Sequence, residues 1–328
     1  MGKPLVLVTH SPSKEIREAI IKTLGNGGKV KFLPDLADEE QLKAIRSAQA
    51  LLTYDPVKDL GKERLGQLRN CLLIQCLTSG IDYLPLDQLP SQIPVAYNAG
   101  AFAEAMAEHV VAMAFAASKR LSIEHNLMRN GEFNQFVPTK SLTGGTCGII
   151  GFGETGREVG RLMRLFDMQI EAINRSGKTS EPVNFIGTIA DIDRVLARSD
   201  VIVITLALTK KTNGLIGDKH LSIMKPDAVL VNVARGEIID ETSLYQHLLD
   251  HPGFTACLEA WWVEPVRHGK FELNYPFLEL PNVIASPHNS AMTVGALSLG
   301  ASRAVENILR LFRGQLPNFI ADEDIKMK

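Results

Sequence analysis

A glycine-rich run at 151–156, GFGETG, is the stretch of this chain whose residue types and spacing point most directly to chemistry. It follows the apolar run 147–150 and precedes a segment with apolar residues at helical spacing, which predicts strand, turn and helix. In that context Gly151 makes the tight turn, Gly153 lets a pyrophosphate approach the backbone, and Gly156 lets helix and strand pack closely. The N-terminus of the following helix also attracts phosphate charge. The run therefore favours a dinucleotide site over a glycine-rich turn without a ligand.

Three polar side chains downstream each follow an apolar, strand-like run. Arg235 ends the run VNVAR at 231–235, and its planar guanidinium suits a bidentate grip on a carboxylate. His288 follows the sequence Ser-Pro, and a histidine that is paired with a carboxylate stays protonated to higher pH. Glu264 precedes a proline, which favours an extended backbone at this acid. Taken singly, they are equally a surface arginine, a loop histidine and a loop acid. Because ligands bind where parallel strands end, we expect all three at one sheet edge.

The end of the second strand after the glycines addresses the choice of cofactor. An NAD enzyme usually places an acid there, about 20 residues past the glycines, to bind the adenosine ribose. This chain has the neutral Asn174, followed by Arg175, Ser176 and Lys178. An arginine and a hydroxyl can bind a 2′-phosphate by charge-assisted hydrogen bonds. The sequence therefore predicts NADP(H), with NAD(H) as the alternative; the basic turn could also be merely solvated.

Composition excludes several classes of protein. The 328 residues favour two domains, and the 45% hydrophobic and 22% charged content is ordinary for a soluble protein. A net charge of −2 without a long basic run disfavours nucleic acid or an anionic membrane as partner. The four cysteines lie in apolar runs and predict reduced, buried thiols in a cytoplasmic protein without a signal peptide. His247 and His251 lack an evident third ligand, so we expect no metal site and interpret them as cations at a helix end.

Strands alternate with helices in two series, which predicts an α/β protein with two parallel sheets. Between the series, the segment 101–121 is apolar nearly all round, as in a helix buried between layers or subunits. Its uninterrupted apolar run 110–117 is too short to cross a membrane. The predicted strands are 5–9, 30–33, 50–54, 72–77, 94–97, 147–150, 169–174, 201–206, 228–234, 255–259 and 283–286, and the predicted helices 14–24, 39–48, 62–69, 101–121, 123–130, 156–166, 189–198, 218–224, 241–249 and 294–312.

The ordered set of motifs resembles the D-2-hydroxyacid dehydrogenase family. After the glycine run come NVARG at 232–236, Glu-Pro at 264–265 and SPH at 286–288, and earlier NAG at 98–100, AEH at 107–109 and Ser79-Gly80 before Asp82. The resemblance covers about 70–320. It implies two Rossmann-like, doubly wound domains, with a dinucleotide-binding domain of residues 99–290 inserted into a discontinuous substrate domain of residues 1–98 and 291–328.

The resemblance also implies roles. His288 would be the acid/base, Glu264 its partner and Arg235 the substrate anchor, with backbone N–H groups near Ser79 and Gly80 on the other side of the substrate carboxylate. The implied cofactor contacts are Gly151, Phe152, Gly153, Glu154, Thr155, Gly156, Asn174, Arg175, Ser176, Leu206, Ala207, Thr212, Val233, Ala234, Glu259 and His288. The candidates for the substrate site are Leu77, Ser79, Gly80, Tyr54, Phe102, Arg235 and Trp262.

Some positions depart from the family pattern. Glu259 stands where an Asp usually contacts the nicotinamide carboxamide, Ala207 replaces a common Pro, and Asn174 replaces the usual acid. The bulky Trp261-Trp262 and the segment 267–275 either narrow the substrate mouth or pack between domains.

We expect a reductase of small 2-keto acids, glyoxylate or hydroxypyruvate by default, that forms a homodimer through helix 101–121. The alternatives are a dinucleotide-sensing, corepressor-like scaffold and a phosphoglycerate-type or formate- or phosphite-type dehydrogenase.

Overall fold

The computed structural model describes residues 2–322, which divide into two compact units. One unit runs up to Phe102 and resumes at Met292, and the other is Ala103–Ala291. Each is an α/β structure with one parallel sheet, which confirms the predicted fold class. In chain order the elements are β1 (Leu5–Val8), α1 (Lys14–Leu24), β2 (Lys29–Phe32), α2 (Asp38–Ser47), β3 (Ala50–Thr53), α3 (Pro56–Leu65), β4 (Leu73–Cys76), β5 (Val95–Ala96), α4 (Ala103–Ser118), α5 (Leu121–Arg129), β6 (Thr146–Ile150), α6 (Glu154–Arg164), β7 (Gln169–Ile173), β8 (Phe185–Gly187), α7 (Ile192–Arg198), β9 (Val201–Ile204), α8 (Asp218–Ser222), β10 (Val229–Asn232), α9 (Glu241–Asp250), β11 (Thr255–Leu258), α10 (Pro265–His268), β12 (Val283–Ala285) and α11 (Ala296–Phe312).

The smaller unit is built on a five-stranded sheet in the order β2-β1-β3-β4-β5, with every strand pair parallel. Its central strands are buried on both faces, which is why they read as unbroken apolar runs such as ALLT. Helices α1 and α11 pack together on one face, and α2 and α3 cover the other. Ser13 begins α1 by accepting a hydrogen bond from the N–H of Ile16. The carboxyl ends of β1, β3 and β4 thus meet at one edge.

The larger unit carries a seven-stranded parallel sheet in the order β12-β11-β10-β9-β6-β7-β8. Helix α4 packs on α6 and on strands β10 and β11, and it buries Ala107, Val110 and Ala114 completely. The apolar face of the predicted helix 101–121 is therefore largely buried inside this unit. Within the described part of the chain, none of the helices combines the length and apolar character needed to cross a membrane.

The sequence-based elements needed three corrections. The helix predicted at 62–69 begins earlier, at Pro56, because Asp55 caps it by accepting from the N–H groups of Val57 and Lys58. Gly61 interrupts it with φ +69°, which is the kink that hid the helical pattern. The edge strand β8 and the short helix α10 were not predicted, since three and four residues are too few to show a period.

Candidate active site

The glycine run lies between the end of β6 and α6, as its pattern predicts. Gly151 has φ +110°, and a Cβ there would come within 2.8 Å of the Thr205 carbonyl carbon. A Cβ on Gly156 would meet the Gly151 oxygen at 2.3 Å, so helix and turn touch through bare backbone. At Gly153, the residue just before α6, a Cβ would meet nothing within 4 Å. That open space beside a helix N-terminus fits a dinucleotide pyrophosphate.

The loop after β7 is shaped by Asn174. Its side-chain oxygen accepts from the backbone N–H groups of Ser176 (3.1 Å) and Gly177 (2.7 Å), and its amide donates to the Lys178 carbonyl. Asn174 therefore folds the turn, while Arg175, Ser176 and Lys178 stand on its exposed surface. Asn174 thus forms the loop that presents the basic residues, and its amide makes one hydrogen bond, to the Lys178 carbonyl, that an acid could not donate.

The loop after β9 is held by hydroxyls. The Thr212 hydroxyl donates to the Ala207 carbonyl at 2.7 Å, and it accepts from the Thr209 N–H at 2.8 Å. Leu206 is half-buried and Ala207 is exposed. After β10, Val233 and Ala234 are buried. The residues predicted to contact the cofactor thus follow the carboxyl ends of β6, β7, β9 and β10 in this unit.

His288 and Glu264 are in direct contact at the same edge. The Nδ1 atom of His288 lies 2.8 Å from both carboxylate oxygens of Glu264, and Glu264 also accepts from the Trp261 N–H at 2.7 Å. His288 adopts φ +51°, and its N–H donates to the Glu259 carbonyl at 3.0 Å. The left-handed conformation, uncommon outside glycine, turns the ring towards Glu264. With Nδ1 engaged, Nε2 remains for chemistry.

The electrostatics of this pair favour an imidazolium beside a carboxylate. Burial alone would lower the pKa of His288, but the hydrogen bond to Glu264 and the charges of Glu259 and Glu264 raise this pKa overall. The positive charge of Arg235 lowers it, but not enough to cancel the rise. Burial would raise the pKa of Glu264, yet the contact with His288 and the Trp261 N–H lower it. His288 therefore holds its proton to higher pH than an ordinary histidine.

Glu259 forms a second carboxylate near the ring. It is fully buried, and one oxygen accepts from the Ser290 N–H at 2.7 Å. Its other oxygen lies 3.9 Å from Nε2 of His288 and has no hydrogen-bond partner among the described residues. The buried carboxylate of Glu259 thus places a negative charge close to the histidine ring.

Arg235 is placed by backbone contacts around Gly236. The Asn232 amide donates to the Arg235 carbonyl at 2.8 Å, and Arg235 Nη1 donates to the Ala234 carbonyl at 2.7 Å. Gly236 lies against the peptide between Trp261 and Trp262, where a Cβ would come within 2.3 Å of a backbone carbon. This approach sets the segment of Arg235 directly against the loop that carries Glu264.

Trp262 is accounted for by packing inside this unit. Its indole N–H donates to the Ile239 carbonyl at 2.8 Å, and its ring stacks on Phe277 with centroids 5.3 Å apart. Only 9% of the residue is exposed. The bulky tryptophans were predicted either to narrow the substrate mouth or to pack between domains, whereas these contacts of Trp262 are packing within one unit.

The remaining substrate candidates belong to the smaller unit. Ser79 Oγ donates to the Asn98 carbonyl at 3.1 Å, and the Asn98 amide donates to the Leu77 and Gly300 carbonyls. Asn98 therefore fixes the loop after β4 that contains Ser79 and Gly80. Leu77 is buried, whereas Tyr54 and Phe102 are half-buried, and Phe102 packs on Gly300 of α11.

His247 and the four cysteines, which lie away from this edge, are structural. Burial lowers the pKa of His247 to about 4, so the interpretation of this residue as a cation was wrong. Its ring stacks on His251 and meets Phe254 edge to face instead. Among residues 2–322 no group of three or more His, Cys, Asp or Glu side chains is arranged to hold a metal ion. The four cysteines are buried free thiols, as predicted, and burial raises the pKa of Cys147 to about 12.

One polar residue was overlooked in the sequence. His10 follows β1 by two residues, and both of its ring nitrogens are buried without a hydrogen-bond partner among the described residues. A single histidine after the first strand gives no periodic or motif signal. Its position two residues past a buried strand was the available clue.

Comparisons with known proteins agree with this geometry. A family model described as "D-isomer specific 2-hydroxyacid dehydrogenase, NAD binding domain" matches residues 111–290. A glyoxylate reductase of Thermofilum pendens is 27% identical, covering 88% of this chain and 85% of its own. A D-3-phosphoglycerate dehydrogenase of Methanocaldococcus jannaschii is 28% identical over 92% of this chain but 57% of its own length. The solved D-isomer specific 2-hydroxyacid dehydrogenase of Xanthobacter autotrophicus Py2, in complex with NADPH and MES, shares the fold with a TM-score of 0.81 at 22% identity, over 98% of each chain.

Proposed function

Since the chain belongs to the D-isomer-specific 2-hydroxyacid dehydrogenase family, we propose that it reduces small 2-keto acids, glyoxylate or hydroxypyruvate among them, to D-2-hydroxy acids with NADP(H). The observation that carries the proposal is the contact of His288 with Glu264, at the edge that also holds the glycine run. A histidine with a raised pKa and a free Nε2 is a proton donor of the kind that carbonyl reduction requires.

The residues of the larger unit divide the reaction between them. The cofactor, when bound, supplies hydride to C2 of the keto acid. His288 donates its Nε2 proton to the keto oxygen, while Glu264 stabilises the imidazolium beforehand. Arg235 binds the substrate carboxylate through its guanidinium, and its charge also favours the alkoxide as it develops. In the direction of oxidation, neutral His288 accepts the hydroxyl proton.

The preference for NADP(H) rests on the Asn174 turn. The exposed Arg175 and Ser176 would bind a 2′-phosphate, and the neutral Asn174 does not repel it. An acid at this position would do the opposite by accepting from both ribose hydroxyls.

The test is a panel of 2-keto acids assayed with NADPH and with NADH by absorbance. We expect turnover of glyoxylate or hydroxypyruvate, with a higher kcat/KM for NADPH. Arg175→Ala should lower the kcat/KM ratio of NADPH to NADH by about tenfold or more, since a charge-assisted hydrogen bond is lost. Arg69→Ala, at an exposed arginine of the smaller unit, is the matched control and should leave the ratio unchanged. No turnover despite dinucleotide binding would favour the sensing scaffold instead.

We also propose a cytoplasmic homodimer. Much of helix α4 is buried in its own unit, but exposed apolar side chains continue beyond its C-terminal end and would be covered by a second copy. Light scattering should give about twice 36.0 kDa, and a mass of 36.0 kDa at micromolar concentration would contradict the dimer. The reduced cysteines support the cytoplasm. The exposed side chains are Leu121, Met128, Phe133, Phe136 and Val137.

A further inference from the structure

The bulky segment 267–275 is tied to the start of α9 by hydrogen bonds. The backbone N–H of Asn274 donates to Oε1 of Glu241 at 3.2 Å, and its side-chain amide donates to Oε2 at 2.6 Å. The hydroxyls of Thr242 and Tyr275 lie 2.9 Å apart. The start of α9 closely follows the substrate anchor in sequence, and the bulky segment closely follows the carboxylate of the acid/base pair. The chain beyond each functional residue thus binds the chain beyond the other.

An ion pair joins the same two stretches nearer to the functional residues. Nη1 of Arg267 lies 2.5 Å from Oε1 of Glu237. Glu237 is two residues after Arg235. Arg267 is three residues after Glu264. The ion pair therefore lies closer in sequence to Arg235 and Glu264 than the hydrogen bonds of Asn274 do.

The ion pair is shielded from water. Only 15% of the Arg267 side chain and 21% of the Glu237 side chain are exposed. Oε2 of Glu237 is buried and has no hydrogen-bond partner among residues 2–322, so the adjacent guanidinium offsets the cost of burying this carboxylate. Salt screens a shielded pair less than an exposed one, and an exposed pair contributes little. The pair is therefore a fixed link and not a loose surface contact.

Helix α10 connects this link to Glu264, the residue just before it. The Glu264 carbonyl accepts from the N–H groups of His268 at 2.8 Å and Arg267 at 3.2 Å. The N–H of Glu264 donates to Nδ1 of His268 at 3.0 Å. The backbone of Glu264 is thus fixed to the turn that carries the guanidinium. Backbone contact at Gly236 limits how closely the two functional segments approach, and the ion pair opposes their separation.

We propose that Arg267 is a positioning residue, which through Glu237 holds the substrate anchor at a fixed distance from the acid/base pair. The inference rests on the proposed function, in which Arg235 binds the carboxylate while His288 protonates the neighbouring keto oxygen. Because both groups act on one small molecule, a change of about 1 Å in their spacing can lower the rate about 10²-fold. Arg267 and Glu237 act through this spacing and not by touching the substrate.

Arg267→Met tests the inference, because Met keeps apolar length and removes the charge. KM for the keto acid that the wild type reduces fastest should rise about tenfold, and kcat/KM should fall by about 10- to 100-fold. A loss of folded enzyme would instead lower the apparent kcat and leave KM unchanged. Affinity for NADPH should keep its wild-type value. Arg161→Met is the matched control and should keep KM, since Arg161 pairs with Glu158 at 2.5 Å within one helix.

Two further variants make the test specific to the anchor. Glu237→Gln breaks the same ion pair with little change of shape and should also raise KM. In the background of Arg235→Lys, Arg267→Met should cost far less, because the planar fork that it positions is already absent. Unchanged KM in either single variant, or full additivity with Arg235→Lys, overturns the inference and leaves the proposed function standing. Absence of turnover of every keto acid by the wild type overturns both.

Discussion

Each of the two sheets of this chain has a point where the strand order reverses, but different residues lie at the two points. In the larger unit the switch point lies between β6 and β9, and in the smaller unit between β1 and β3. Gly151 leaves the first free of side chains, so backbone meets backbone at Thr205. His10 and Tyr54 fill the second with two rings. Backbone groups are thus exposed at the reversal point of the larger unit, whereas ring side chains occupy that of the smaller unit.

The difference sets what kind of chemical group each edge could accept. A pyrophosphate is recognised by charge and by many N–H groups, which requires close approach and therefore glycine. Two ring side chains offer instead a fixed shape with few polar atoms. In both places a threonine hydroxyl secures the edge: Thr205 donates to the Gly151 carbonyl at 2.5 Å, and Thr53 donates to Asp59.

The largest expected effect separates chemistry from recognition. His288→Ala removes the proton donor and should lower kcat for keto-acid reduction by about 10²–10⁴-fold. Arg235, the proposed anchor of the substrate carboxylate, is retained in this variant, so KM should change far less. Steady-state kinetics at several pH values measure both. Wild-type turnover in His288→Ala would exclude this residue as the acid.

A second change fills the glycine edge with a side chain, as the other switch point is filled. Gly153→Val places atoms in the open space beside α6 and should weaken dinucleotide binding by about 10- to 100-fold. Gly217→Val is the matched control, because Gly217 also precedes a helix with extended backbone and an open Cβ position. Both should cost about 1 kcal/mol of stability or less. Calorimetric titration with NADPH separates them, and equal loss of affinity would count against a site at Gly153.

The smallest change tunes the acid rather than removing it. Glu264→Gln deletes a charge that raises the pKa of His288, so this pKa should fall. Reduction needs protonated His288, hence the alkaline limb of its pH–rate profile should move to lower pH. An unmoved limb would assign that ionisation to another group.

The same pair makes a pH-dependent contribution to stability. His288 has a raised pKa, so its contribution is complete below the ordinary histidine pKa and is lost as pH rises through the raised value. Glu264 has a lowered pKa, so its contribution is complete above the ordinary glutamate pKa and is lost as pH falls through the lowered value. Thermal unfolding of wild type and Glu264→Gln should therefore differ most between about pH 4.5 and 6.5, the ordinary values of the two groups. A difference independent of pH would contradict this.

The sequence revealed the larger unit better than the smaller one. Its glycines, Arg235 and His288 stand at strand ends in recognisable order, so their meeting at one edge could be expected. The sequence could not predict the left-handed backbone of His288 or the unpartnered oxygen of Glu259, because both arise from tertiary contacts. His10 carries no motif, and its partner Tyr54 is 44 positions away. Strands were predicted to within about two residues, whereas β8 was too short to show alternation.

Gly236 has a consequence for how this site tolerates change. The peptide between Trp261 and Trp262 occupies the volume in which any side chain at Gly236 would begin. The distance between the segment of Arg235 and the loop of Glu264 is thus set by van der Waals contact between main chains. A side chain added at Gly236 would clash with backbone atoms, and a substitution at a neighbouring residue could not relieve that clash. A single added methyl would act as a wedge between two functional segments. The size of the residue at position 236 therefore sets the distance between these two segments, although glycine contributes no functional group to the site.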